Sequence, residues 1–132
     1  MKFLKVHFVF LLLFLFRGVM LFSGTFEIDK EGFYKDGRIY RILSGSLDYA
    51  RIAQSDWNDR LLKARAMGLN TVTTTVYWNF HEAEEGIFDF TSGNKNLRLF
   101  LQLAKENNLN VILRVGPYAA SDWDLGGLPA WL

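Results

Sequence analysis

The sequence predicts an α/β domain built on a parallel sheet. Three observations predict it: strand-like and helix-like stretches alternate after residue 37, their connections are short, and the run Val111 to Val115 is apolar almost throughout. Such alternation implies right-handed βαβ units. A chain of 132 residues that is 50% hydrophobic and 16% aromatic, with near-balanced charge, holds one globular domain at most and is neither disordered nor collagen-like.

The elements follow in order. Phe26 to Asp29 and Gly32 to Gly37 read as a short hairpin, with Asp36-Gly37 as its turn signal. Arg38 to Tyr49 reads as one strand, its Ile39, Tyr40, Ile42 and Leu43 interleaved with small residues. Ser55 is the expected N-cap of a helix whose apolar stripe is Trp57, Leu61, Ala64 and Met67, and Asp56 and Asp59 favour its positive end. Gly68 is the expected C′ residue. The β-branched stretch from Asn70 to Tyr77 reads as the next strand, and Trp78 to Gly93 as a loop. Leu97, Phe100, Leu101, Leu103 and Ala104 recur at helical spacing in a second helix of about Asn94 to Asn107. Val111 to Val115 is the last strand, of the buried parallel kind.

Ahead of these lies a leader. Lys2 and Lys5 precede nine consecutive apolar residues, Phe8 to Phe16, and Ser23 and Gly24 supply small residues for cleavage. This is the pattern of a signal peptide over residues 1–23 and predicts entry into the secretory pathway. As an uncleaved anchor the run falls short of the roughly 20 residues a spanning helix needs, and no later stretch is long enough to form a stable membrane span. Lys2, Lys5 and Arg17 leave with the leader, so no basic patch remains to bind nucleic acid. With no cysteine, and His7 and His81 the sole histidines, thiolate zinc sites, disulfides and multi-histidine metal sites are excluded.

Polar and aromatic residues gather just past each predicted strand: Asp48-Tyr49, then Trp78-Asn79 and His81-Glu82, then Tyr118 with Asp122-Trp123-Asp124. In a parallel α/β sheet ligands bind at these carboxyl ends. Aromatic rings beside carboxylates and amides suit sugars, because a ring stacks on the apolar face of a pyranose while carboxylates take its hydroxyl hydrogens. Each residue also has a structural reading. Trp78, Trp123 and Trp131 serve as wall and core or as sugar platforms; Glu82 is a loop-holding partner or a catalytic carboxylate; His81 lacks a visible nucleophile for general-base work. Glu84-Glu85 reads as a solvated turn, and Gly126-Gly127 as a tight loop without the spacing of a phosphate cradle.

Three linked motifs carry a resemblance. Ile42-Leu-Ser-Gly-Ser-Leu-Asp-Tyr-Ala-Arg51, Val76-Tyr-Trp-Asn-Phe-His-Glu82 with Gly86-Ile-Phe-Asp-Phe90, and Leu113-Arg-Val-Gly-Pro-Tyr118 through Trp123-Asp-Leu-Gly-Gly-Leu-Pro-Ala-Trp-Leu132 resemble glycoside hydrolase family 35, the β-galactosidases, from about Phe26 to the last residue. The resemblance implies a (β/α)8 TIM barrel that removes terminal β-galactose with retention, without a cofactor, in the lysosome, vacuole or extracellular space. Such a barrel takes roughly 250 residues, so residues 24–132 correspond to its N-terminal portion of about three strands and two helices. The two catalytic glutamates of the family lie on later strands, beyond Leu132, which leaves no catalytic residue here.

What the resemblance places here is the first part of the galactose pocket, at Thr75, Ala120, Ser121 and Asp122, and these positions depart from the family. Thr75 stands where the family has tyrosine, Ala120-Ser121-Asp122 where it has Cys-Ala-Glu, and Asp48 where it has histidine. Asp122 keeps the charge on a side chain one methylene shorter. Each lost hydrogen bond to a sugar hydroxyl costs about 1–3 kcal/mol. The sequence therefore admits two expectations: a galactosidase-like hydrolase of glycans, or a catalytically silent sugar-binding or interaction protein on the same fold.

Overall fold

The computed structural model describes residues 24–132, so the expected signal peptide lies outside the described residues. Two compact units result, one ending at Arg41 and one running from Ile42 to Leu132.

The first unit is a three-stranded antiparallel meander of β1 (Phe26–Asp29), β2 (Gly32–Lys35) and β3 (Arg38–Ile39). It contains two hairpins where the sequence predicts one. The β1–β2 turn is fixed by the Asp29 carboxylate, which accepts from the Glu31 and Gly32 backbone N–H groups at 2.7 and 3.1 Å. Asp36 and Gly37 both have positive φ, 52° and 72°, and form the two-residue turn between β2 and β3, where such dihedrals match the twist of the strands.

The predicted strand from Arg38 to Tyr49 is thus divided. Its start is β3 of the meander, and only Ser44–Ser46, β4, joins the second sheet. That sheet has the order β4, β5 (Thr71–Val76), β6 (Asn110–Val115), parallel throughout, with Ser44 beside Thr71 and Thr71 beside Asn110. At Gly45 in β4 a Cβ would stand 2.9 Å from the end of the Leu69 side chain, which would have to shift.

Two helices cross between the strands. The first, α1 (Trp57–Ala66), begins after a 3-10 turn at Gln54–Asp56, so Ser55 is not its cap; the Ser55 hydroxyl bonds Asp56 instead. Trp57, Leu61 and Ala64 are buried as the stripe predicts, while Met67 is exposed. At the C-terminus Gly68 (φ +90°) donates to the Arg65 carbonyl and Leu69 to the Ala64 carbonyl, the paired bonds of a Schellman motif. The short helix α2 (Trp78–His81) lies inside the expected loop. Helix α3 (Leu97–Glu106) starts where the Asn96 side chain accepts from Leu99 N–H, and closes on the same motif with Asn108 at φ 55°.

The core lies between the sheet and α1 and α3. Tyr49, Trp57, Leu61, Val72, Tyr77 and Phe100 are fully buried, and the rings of Trp57 and Phe100 meet edge-on at 5.6 Å. The Trp57 ring N–H donates to the Tyr49 and Ile52 carbonyls, which fixes the chain between β4 and α1. Strand β6 departs from its expected burial: Ile112, Leu113 and Val115 are exposed, and its far edge pairs with no strand among the described residues.

Candidate sugar site at the carboxyl ends of the parallel strands

The residues just past β4, β5 and β6 converge. Asp48 follows β4 and turns its carboxylate to β5, where it accepts from Thr75 N–H and from the Tyr77 hydroxyl, both at 3.1 Å. Its other neighbour is Arg51, with Nε at 3.9 Å from the carboxylate. The Arg51 guanidinium also donates to the Asp122 backbone carbonyl and lies 5.3 Å over the Trp123 ring. Tyr77 is fully buried and stacks on Trp123, with ring centroids 4.0 Å apart and planes at 7°. Ser121 Oγ is 3.4 Å from the Tyr77 hydroxyl.

The loop after β6 is held internally as well. Ala119 N–H donates to the Gly126 carbonyl at 2.7 Å, and Trp123 Nε1 donates to Asn79 Oδ1 at 2.8 Å. Leu125, Gly126 and Gly127 all have positive φ, and a Cβ on Gly126 would collide with the Tyr118 ring. The glycine pair is therefore the tight loop its spacing predicts.

Thr75 and Ala120 line one pocket of about 260 Å3 together with Arg114, Gly116 and Tyr118. Ser121 faces Tyr77, and Asp122 is exposed on the same loop. Of the four positions singled out from the sequence, Thr75 thus lies near the end of β5 and the other three on the loop after β6, with Thr75 and Ala120 sharing the pocket. A second, mainly apolar pocket of about 290 Å3 adjoins it through Val115 and Gly116, and is walled by Trp78, Phe88 and Phe90.

His81 and Glu82 take structural roles. His81 is buried; its Nδ1–H donates to the Asp89 carbonyl at 2.7 Å, which leaves Nε2 to accept from the Tyr49 hydroxyl, and its ring stacks on Phe90. Burial pushes the His81 pKa down and the Tyr49 pKa up, so both stay neutral. The buried Glu82 carboxylate accepts from the Trp78 ring N–H and, at 2.7 Å, from Gly86 N–H, closing the turn at Glu84-Glu85. Trp131 donates to the Glu82 carbonyl and meets Trp78 edge-on, so both rings are wall. Asp89, in the same loop, is held down to about 2 by the backbone N–H of Thr91 and then of Ser92.

What the sequence reading missed is the part played by Tyr77 and Arg51. The signal was available only in part: Tyr77 sits two residues beyond Thr75 at a strand end, but neither its partner Asp48 nor its stack on Trp123 is near it in the chain.

Parallel strands with crossover helices define an α/β protein, with an aromatic and carboxylate cluster at the carboxyl ends of the strands. Residues 32–132 match the family model described as Glycosyl hydrolases family 35, and the chain belongs to that family. It is 51% identical over 108 residues to a β-galactosidase of Xanthomonas manihotis, 51% over 110 residues to one of Bos taurus, and 50% over 109 residues to one of Homo sapiens. These alignments cover 82%, 82% and 81% of the chain but 18%, 17% and 16% of the relatives, so the chain spans less than a fifth of their length. An exo-β-1,4-mannosidase from Opitutaceae bacterium strain TAV5 is a structural neighbour, with a TM-score of 0.56 and 19% identity over 81% of this chain and 19% of the neighbour, a likeness of fold.

Proposed function

We infer that the chain is the N-terminal portion of the catalytic (β/α)8 barrel of a β-galactosidase-like retaining glycosidase, and that it supplies one wall of the pocket for terminal β-galactose. The observation that carries this reading is the gathering of Thr75, Ala120, Ser121 and Asp122 at the carboxyl ends of β5 and β6, in a chain half identical to β-galactosidases.

In this reading residues 1–23 are a signal peptide, and the full-length protein works in the extracellular space, lysosome or vacuole. A retaining mechanism uses two carboxylates about 5–5.5 Å apart, one protonating the leaving oxygen while the other attacks the anomeric carbon, after which water releases the sugar. Both belong to later strands of the full-length protein. The part played here is binding: the Thr75 hydroxyl and Asp122 carboxylate meet sugar hydroxyls, while Trp123, held against Tyr77, stiffens the loop between them.

The departures at Thr75 and Asp122 favour a second reading, a barrel that binds a glycan without cleaving it. Hydrolysis of an aryl β-galactoside by the full-length natural protein separates the two. If the pocket reads galactose, Thr75→Tyr and Asp122→Glu each raise kcat/KM, by roughly 5- to 100-fold on the scale of one regained hydrogen bond. No gain from either change shows that the pocket reads a different sugar. No hydrolysis at all, with galactose still bound, leaves the binding protein.

A further inference from the structure

We propose that Asp48 is a positioning residue for the substrate loop, acting through two arms, Tyr77 and Arg51, that both end on Ser121-Asp122-Trp123. The proposal rests on the galactosidase-like reading for its ligand and on geometry alone for the clamp.

The Asp48 carboxylate links the parts, touching β5 directly and the loop after β6 through its partners. It arises at the end of β4, caps the end of β5 through Thr75 N–H, and reaches the loop after β6 by two routes. Along the first, the Tyr77 hydroxyl donates to Asp48 and stands within hydrogen-bonding distance of Ser121 Oγ, while the Tyr77 ring stacks on Trp123. Along the second, Arg51 pairs with Asp48, donates to the Asp122 carbonyl and covers the Trp123 ring. Three strand ends far apart in sequence are thereby tied together. A carboxylate suits the position because it accepts several hydrogen bonds at once, and bonds to an ionised acceptor are the stronger kind.

The consequence is a site whose loop is set by residues that do not meet the sugar. The Tyr77 hydroxyl is essential to the first arm, since without it the ring still stacks but Asp48 and Ser121 lose their shared partner. The Asp48 charge is essential to the second, since a neutral amide of the same shape holds Arg51 weakly.

The test uses the full-length natural protein with Tyr77→Phe, Asp48→Asn and the double variant, and Asp59→Asn as control, whose carboxylate meets Lys63 on the surface of α1. Two quantities are read: amide hydrogen exchange over residues 119–126, and the Kd for free galactose. The proposal expects each single variant to speed exchange in that loop and raise the Kd by about tenfold, with unchanged exchange in α3. The double variant should exceed either single variant in both, because each change breaks a different arm of the clamp, and the control should change neither. Unchanged loop exchange, or exchange raised evenly across the barrel, overturns the proposal. If the natural protein binds no galactose, the galactose reading fails, and loop exchange alone still decides whether the clamp exists.

Discussion

At the scale of single residues, His81 shows how a chemically suggestive side chain is used for architecture. Both ring nitrogens are occupied, by the Asp89 carbonyl and the Tyr49 hydroxyl, and burial pushes its pKa below 6.5. A histidine that folds neutral but unfolds into water binds more protons when unfolded, so stability rises with pH through this window and is lost as pH falls below about 6.5. Thermal midpoints of the full-length protein between pH 5 and 7.5 should therefore fall toward the acid side, and His81→Gln should flatten that slope while lowering the midpoint at pH 7.5. An unchanged slope would place the pH dependence elsewhere. Glu82 belongs to the same group, since its carboxylate is buried and bonded to the Trp78 ring N–H and the Gly86 backbone N–H.

At the scale of elements, ends matter as much as periodicity. The stripe of α3 is legible from Leu97, Phe100 and Ala104, but its start is decided by Asn96, whose side chain takes the Leu99 N–H. Asn96→Ala should cost about 1 kcal/mol of local stability, visible as roughly fivefold faster amide exchange at Leu99 with little change at Ala104. The first predicted helix shows the converse. Ser55 has the chemistry of a cap, yet a 3-10 turn places Asp56 at the boundary and leaves the serine hydroxyl on its neighbour. The run from Arg38 to Tyr49 was unreadable as two strands, because nothing in its local pattern states that Arg38 pairs with Lys35 while Ser44 pairs with Thr71. The strand that pairs with Ser44 lies far along the chain.

At the scale of the whole molecule, no strand among the described residues pairs with the far edge of β6. Ile112, Leu113 and Val115 on β6 are exposed, and an apolar strand with an unpaired edge is a template for association. Residues 24–132 expressed alone should therefore aggregate or remain molten. A soluble monomer with a sharp cooperative melt would contradict this. Between the sheet and α1, Trp57 is fully buried, touches Tyr49 and Phe100 and bonds two carbonyls, so Trp57→Ala should cost about 3–5 kcal/mol in the full-length protein, measured by its unfolding midpoint in denaturant.

The α/β class, both long helices, β5, β6 and family membership were determined by the sequence itself, since periodicity, β-branched runs and motifs such as Trp78-Asn-Phe-His-Glu82 are local properties of the chain. Thr75 and Ala120 were singled out through the family resemblance, and the structure lines one pocket with both. Only the tertiary structure decided the split of the first strand, the exposure of β6 and the linkage of Asp48, Tyr77, Arg51 and Trp123. Hydrogen bonds, stacking and edge pairing act over a few ångströms between residues tens of positions apart, and no local pattern encodes which distant partner will arrive.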